Sequence, residues 1–395
     1  MPVPTAFHPR THALCKSLLY KEWAGCYAVR RYDTSHEREY FAIRHAAGLQ
    51  DATPLYKYDL RGPDAGRLLT RIMVRAFLKM KVGVVRYICW CDDEGKVLDD
   101  GTVTRLDDQH FRMTSAEPTL YWLERHARGL DVEIADVSRK IAAVALQGPN
   151  SRAVLSGVFG SSVEELAFFR AMTAQADGRE VVITRTGYTG DLGYELWVPN
   201  ADALWLWDTL MEAGRPHGLM PTGLDTLDVV RVEAGFILQD VDYFSARAAM
   251  IPRQESSPFE LGLGWMVKTE RDPFIGQAAL VREEERGSAR ALAGVEIDWE
   301  QFEDIFNAWG LPPDLPTETC RAGAPVYSDG RQIGQVTSRT WSPTLKRYIG
   351  LASVLSEFSE PGTELSVEVT VEYHRTPCRA RVVKKPFFDP ERKKA

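Results

Sequence analysis

Cysteine is scarce, with six among 395 residues. Cys15, Cys26, Cys89, Cys91, Cys320 and Cys378 are too scattered for a disulfide scaffold. Cys89 and Cys91 sit two apart in RYICWCDDEG and face one way in a strand. No second Cys/His pair follows, so the reading is two reduced, partly buried thiols. The eight histidines do not cluster at ligand spacing, so no metal is expected. Excess positive charge is also missing. Lys and Arg total 48 against 55 acidic residues, a net charge of −7 that argues against nucleic acid as a partner. The run Arg392, Lys393, Lys394 reads as a solvated tail. No apolar run is long enough to span a bilayer, which argues against a membrane partner. The N-terminal stretch, broken by Pro2, Pro4 and Pro9, lacks the apolar centre of a secretory signal. These absences predict a soluble, cytoplasmic protein. P-loop, GxSxG and HExxH motifs are absent, and GDLGYE is too short for a dinucleotide fingerprint.

The chain is long enough for two or three domains. HEREYFAIRHAAG (36–48) has helical spacing, with Tyr40, Ile43 and Ala47 on one face and Gly48 as a C-cap. Residues 51–135 alternate strand and helix patterns and read as one α+β unit. Residues 1–50 and 136–275 supply a second, discontinuous α+β unit, in which ADALWLWDTLMEAG is a helix with Leu204, Trp207 and Met211 on one side. From 276 to 395 the chain turns to short strands separated by turn residues, the pattern of an all-β barrel or sandwich. One helix interrupts it at WEQFEDIFNAWGL, whose Trp299, Phe302, Phe306 and Trp309 stripe predicts packing on that barrel. An exposed docking face is the alternative.

Two motifs carry possible chemistry. GKVLDDGTV holds Asp99 and Asp100 on a strand, where neighbours point to opposite faces, so at most one can face a pocket. RTGYTGDLGYELWV places Gly187, Gly190 and Gly193 around Tyr188 and Glu195. The glycines allow close backbone approach or unusual dihedrals. A flat heterocycle would stack on the tyrosine while the carboxylate accepts paired hydrogen bonds from an amino-pyrimidine. Taken alone, composition favours a plain hairpin with a Gly-rich turn for this motif.

The order of the motifs adds what each one lacks. AIRHAAGLQDAT, KVLDDGTV, ALQGPNSRAVL, RTGYTGDLGYEL, GLDTLDVVRVEAG, SPFELGLGWMVK, FIGQAAL, GQVTSRTWSPTLKRYIGLA and VVKKPFF resemble, in sequence order, the glycine-cleavage T-protein family of folate-dependent aminomethyltransferases and demethylase relatives. The resemblance covers nearly the whole chain. It implies an α+β fold, a three-domain cloverleaf of two α+β domains and a C-terminal β-barrel around a central channel, with tetrahydrofolate as cofactor. It implies Asp100 as the carboxylate beside the reacting carbon, and Tyr87, Asp100, Tyr188, Glu195 and Arg231 as cofactor-binding residues.

Several positions depart from the family pattern. Leu227 replaces an arginine, Pro54 a histidine, and MTSAEPTLYW the Asn-Ala-Ala-Asn segment. YFSARAAMIPRQESS (243–257) is an extra stretch. These departures fall where a donor site would be built. They lead to the expectation of a tetrahydrofolate-dependent demethylase that takes the methyl group of a small-molecule donor, a methyl ether, and forms 5-methyltetrahydrofolate. Tyr243 would then be the acid for the leaving alkoxide, and Arg247 and Arg253 would bind a substrate carboxylate; a surface loop with ordinary charges accounts for them equally. The alternatives are an aminomethyltransferase of glycine cleavage, a non-catalytic folate-binding protein, and the folate domain of a flavin-dependent demethylase whose flavin would sit on a partner chain. The motifs name no oligomeric state.

Overall fold

Alternation along each strand sorts the chain into two layered domains and a barrel. The computed structural model describes residues 1–395. The first sheet has six strands in the spatial order Ala171–Ala176, Arg179–Thr184, Gly193–Pro199, Ile141–Gln147, Ala47–Asp51 and Leu219–Pro221. All pairs are antiparallel except the last. Val144, Leu146, Leu196 and Val198 point to one face. They form one core with Val154 and Leu155 of helix Ser151–Phe159 and with Leu206, Trp207 and Leu210 of helix Ala203–Gly214. The buried stripe of that second helix is thus one position away from the expected Leu204–Met211 edge.

The second sheet has five antiparallel strands in the order Val85–Cys91, Val97–Asp107, His110–Ser115, Tyr56–Arg61 and Glu133–Asp136. Its core face carries Tyr58, Leu60, Ile88, Trp90, Val103 and Met113. Helix Ala65–Ile72 covers it with Leu68, Leu69 and Ile72. The thiols of Cys89 and Cys91 are buried and free.

The third domain is a closed six-stranded barrel, in the order Arg290–Ile297, Arg347–Leu355, Arg331–Ser342, Ala324–Ser328, Glu364–Val371 and His374–Val383. Gly294 pairs with Val383 to shut it. Closure removes the free edges that an open sheet would leave. The inserted helix runs over Trp299–Asn307, capped by Asp298, which accepts a hydrogen bond from Gln301 N. Phe302, Ile305 and Phe306 are buried in the barrel core, so its stripe packs rather than docks.

Other details differ from expectation. Helix Glu37–His45 stops before Ala47, and Gly48 lies inside a strand rather than at a C-cap. A Cβ on Gly48 would stand 2.7 Å from both Ile43 and Thr222, so close packing explains this glycine. The hairpin Leu19–Trp23 with Cys26–Arg31 has no clear sequence signal. The basic run near residue 392 is not a solvated tail, because Arg392 makes a two-pronged ion pair with buried Asp191. No helix is long and apolar enough to cross a membrane.

Candidate active site

The faces that the two sheets turn away from their helices carry polar side chains, on the first sheet among a small apolar cluster, and they confront each other. Cross-strand partners share a face. The register Tyr87↔Thr102, Cys89↔Asp100, Thr104↔Arg112, Asp59↔Arg112 and Lys57↔Thr114 therefore puts these side chains on one side of the second sheet. On the first sheet, Thr184↔Glu195↔Ala145↔Gln50 and Trp197↔Ala143 line the opposing side. The Arg112 guanidinium lies over the Trp197 ring at 5.5 Å, which bridges the two faces. Asp59 anchors that arginine with two bonds of 2.7 and 2.9 Å. Burial works to raise the Asp59 pKa, but His110 and Arg112 outweigh it and bring it to about 2.

Asp100 occupies this channel, and Asp99 points into the protein, as strand alternation requires. Tyr87 donates its hydroxyl to Asp100 Oδ2 at 2.8 Å, and Tyr243 donates to Oδ1. Burial pushes the Asp100 pKa up, while the two phenols pull it down. The same burial, reinforced by the carboxylate, pushes both phenols well above their ordinary value, so they remain donors. Asp99 accepts from the backbone N–H of Asp100 at 2.7 Å and of Glu117 at 3.0 Å, which fixes the strand on which Asp100 sits. Tyr243, read from sequence as belonging to an added loop, is buried in the second-sheet core and reaches Asp100 directly.

Across the channel, the Tyr188 ring stacks on Phe236 with centroids 5.5 Å apart. Its hydroxyl donates to Ile237 O, so the ring face, not the phenol, is available to a ligand. Glu195 accepts from Thr186 at 2.8 Å through Oε2. Burial raises the Glu195 pKa, against the hydrogen bond from Thr186 and the nearby charge of Lys57. For two of the glycines the close approach is to a side chain of the protein itself. A Cβ on Gly187 or Gly193 would come within 2.0 or 2.2 Å of Gln147 Oε1. The Gln147 amide fills that space, donating to Thr186 O and Tyr194 O and accepting from Thr189. The glycines admit Gln147, and this fixed amide shapes the turn that carries Tyr188.

Arg231 does not offer its guanidinium to the channel. It donates to Asp228 at 2.8 Å, Asp242, Phe236 O at 3.2 Å and Ser338 at 2.7 Å. Asp242 also accepts from Thr337 and Ser338 of the barrel. Arg231 therefore locks the Phe236–Tyr243 segment between the first domain and the barrel. Arg247 and Arg253 are exposed and form no ion pair. Arg247 lies near Glu117, whereas Arg253 lies near Arg290 at the start of the barrel. Sequence reasoning missed Arg44 and Glu233. Arg44 donates to Glu233 at 2.6 and 2.9 Å, to Thr189 O at 2.9 Å and to Asp191 at 3.4 Å, with all three side chains fully buried. Charged residues inside otherwise apolar helix patterns, in AIRHAAG and VVRVEAG, were the available signal.

Residues 3–271 match the family model of the GCVT N-terminal domain, and residues 308–389 match that of the glycine cleavage T-protein C-terminal barrel domain. An aminomethyltransferase of Geobacillus sp. (strain WCH70) is 33% identical over 361 residues, 90% of this chain and 91% of that one. That of Caldanaerobacter subterraneus subsp. tengcongensis is 33% identical over 392 residues, 98% and 95% of the two chains. That of Bacillus subtilis (strain 168) is 32% identical over 383 residues, 94% and 97%. The solved structure of glycine cleavage system aminomethyltransferase T from Bartonella henselae has the same fold, with a TM-score of 0.82, 24% identity and coverage of 98% and 99%. Together these place the protein in the class of one-carbon transferases with a three-domain fold. The chain belongs to the glycine cleavage T-protein family.

This membership corrects the expectation of a demethylase. Relatives that match nearly end to end carry the aminomethyltransferase name. Two of the departures that suggested another donor are packing positions. Leu227 packs against an apolar cluster of Tyr40, Ile43, Val229 and Val230, and Pro54 is buried. The acid role given to Tyr243 falls with the ether donor.

Proposed function

We propose that this chain is a tetrahydrofolate-dependent aminomethyltransferase of glycine cleavage. The observation that carries the reading is Asp100, a channel carboxylate gripped by two phenols in a chain of this family. The residues around it suit a folate. The Tyr188 ring face suits a flat heterocycle, and the Glu195 carboxylate suits an amino-pyrimidine N–H. Tetrahydrofolate, when bound, supplies the nitrogen that accepts the one-carbon unit.

The remaining work falls to side chains. Asp100 presents negative charge where a nitrogen becomes positive, and it can take that nitrogen's proton. Tyr87 and Tyr243 hold both carboxylate oxygens, so the charge is oriented before substrate arrives. Glu195 and Tyr188 set the ring's position, and positioning is itself a large share of the rate in such transfers. The confronting sheet faces keep bulk water away, which strengthens each of these interactions.

The test is an assay with tetrahydrofolate and a lipoyl carrier protein loaded with an aminomethyl group. The reading requires ammonia release and formation of 5,10-methylenetetrahydrofolate, each dependent on both substrates. Absence of both products, with a carrier that is active toward a known aminomethyltransferase, would overturn it.

A further inference from the structure

After its last barrel strand ends at Val383, the chain turns back and crosses the first domain. The N–H groups of Phe387 and Phe388 both donate to Glu233 O at 2.9 Å. The Phe388 ring then lies 4.2 Å beneath the Arg44 guanidinium. Arg392 follows and clasps Asp191 with Nε at 2.7 Å and Nη2 at 2.8 Å, while Nη2 also reaches Arg44 O at 3.2 Å. Lys393 places its ammonium 5.5 Å over the Phe236 ring, which stacks in turn on Tyr188.

These contacts converge on the two sides of one feature. Asp191 lies three residues after Tyr188 in the same turn. Its only other cationic partner, Arg44, stands at 3.4 Å and is engaged mainly by Glu233. Phe236 is the ring on which Tyr188 rests. The segment therefore fastens the turn at Asp191 and its support at Phe236, from outside the channel and without touching it. Bidentate arginine–carboxylate pairing supplies direction as well as attraction. Asp191 is fully buried and Arg392 is about one-third exposed, so the pair is shielded from solvent on the side that matters.

We propose that Arg392 is a positioning residue for the folate-facing turn, and that residues 387–393 form a strap holding Tyr188 in place for the ligand. The proposal rests on the folate reading of the channel. The strap makes no contact with the reacting atoms, so it acts on the affinity for folate and not on the chemical step. In its absence the turn keeps its fold through Gln147 and Arg44 but samples other positions, and binding must restore order.

The test compares Arg392→Gln, Arg392→Lys and Lys394→Ala with the parent protein. Lys394 is exposed and its side chain makes no hydrogen bond or ion pair, so Lys394→Ala is the control. Equilibrium binding of tetrahydrofolate should weaken about tenfold in Arg392→Gln, equivalent to about 1.4 kcal/mol. KM for folate should rise in parallel while kcat at saturating folate is kept. Arg392→Lys should recover part of the affinity, since lysine keeps charge but loses the fork. In the ligand-free protein, amide exchange over 186–192 should quicken in Arg392→Gln while the barrel strands exchange at the parent rate. Unchanged exchange over 186–192, or unchanged folate affinity in a variant whose parent binds folate, overturns the proposal. Failure of the parent to bind folate overturns the functional reading instead, and the exchange measurement still decides whether the strap orders the turn.

Discussion

Replacing Asp100 by Asn removes the channel charge with the smallest change in shape. Asn keeps an acceptor for one of the two phenols, and the other hydroxyl can turn to accept from its amide. A positioned acid–base group contributes about 10²- to 10⁴-fold to a rate. At 1.36 kcal/mol per tenfold, that is about 2.7–5.4 kcal/mol of transition-state stabilisation. The folate contacts at Tyr188 and Glu195 remain, so Kd for folate should change by less than about fivefold, on the logic that only transition-state interactions move kcat. Stability gives an independent check. Burial raises the folded-state pKa of Asp100 above its ordinary value. Its contribution to stability is therefore fully present below the ordinary carboxylate pKa and is lost as pH rises through the raised one. Above that raised pKa the ionised group weighs against folding, so there Asp100→Asn should melt no lower than the parent. Single-turnover rates with folate preloaded, together with a thermal melt, read both effects. A rate within fivefold of the parent would refute the assignment, and a lowered Tm would show that lost activity reflects damage to the fold.

Tyr243→Phe removes one of the two donors that hold down the Asp100 pKa, so the acid limb of the pH–rate profile should move to higher pH. A hydrogen bond to a charged group is worth about 1.5–3 kcal/mol, so turnover should fall about tenfold or more; a profile superposable on the parent's contradicts this. Glu195→Gln should weaken folate binding about tenfold or more with kcat preserved, by the same measure, and equilibrium titration would expose a wrong assignment as unchanged affinity. Glu233→Ala removes the main partner of the buried Arg44 charge and should cost about 3–5 kcal/mol in denaturant unfolding; a loss below about 1 kcal/mol, the scale of an exposed pair, would mean that this buried pair does not hold helices Glu37–His45 and Leu224–Glu233 together.

Much of this architecture was legible because it depends on period. Val144 and Leu146 alternate with Ala143 and Ala145, and that alone assigns a core face and a channel face. The same rule separates Asp99 from Asp100. What escaped was set by long-range contact. Nothing near Gly187 or Gly193 indicates that Gln147, some forty residues earlier, fills the space beside both, so the sequence could not say what these glycines approach. Arg231 sits in a family motif, and its sequence neighbours do not reveal that Asp242 and Ser338 would engage it. Leu227 and Pro54 were weighed as changes of chemistry because only their identities were visible. Their burial makes them changes of packing, and the end-to-end match to aminomethyltransferases overturned the inference to a different methyl donor. The basic run at 392–394 has the composition of a free tail, and only the fold brings buried Asp191 within its reach.

The most direct measurement is a structure of the protein with tetrahydrofolate bound. The account predicts the pterin against the Tyr188 ring, its amino group on the Glu195 carboxylate, and the Asp100 carboxylate facing the accepting nitrogen between Tyr87 and Tyr243. A folate bound outside the channel, or one whose accepting nitrogen is turned away from Asp100, would contradict it.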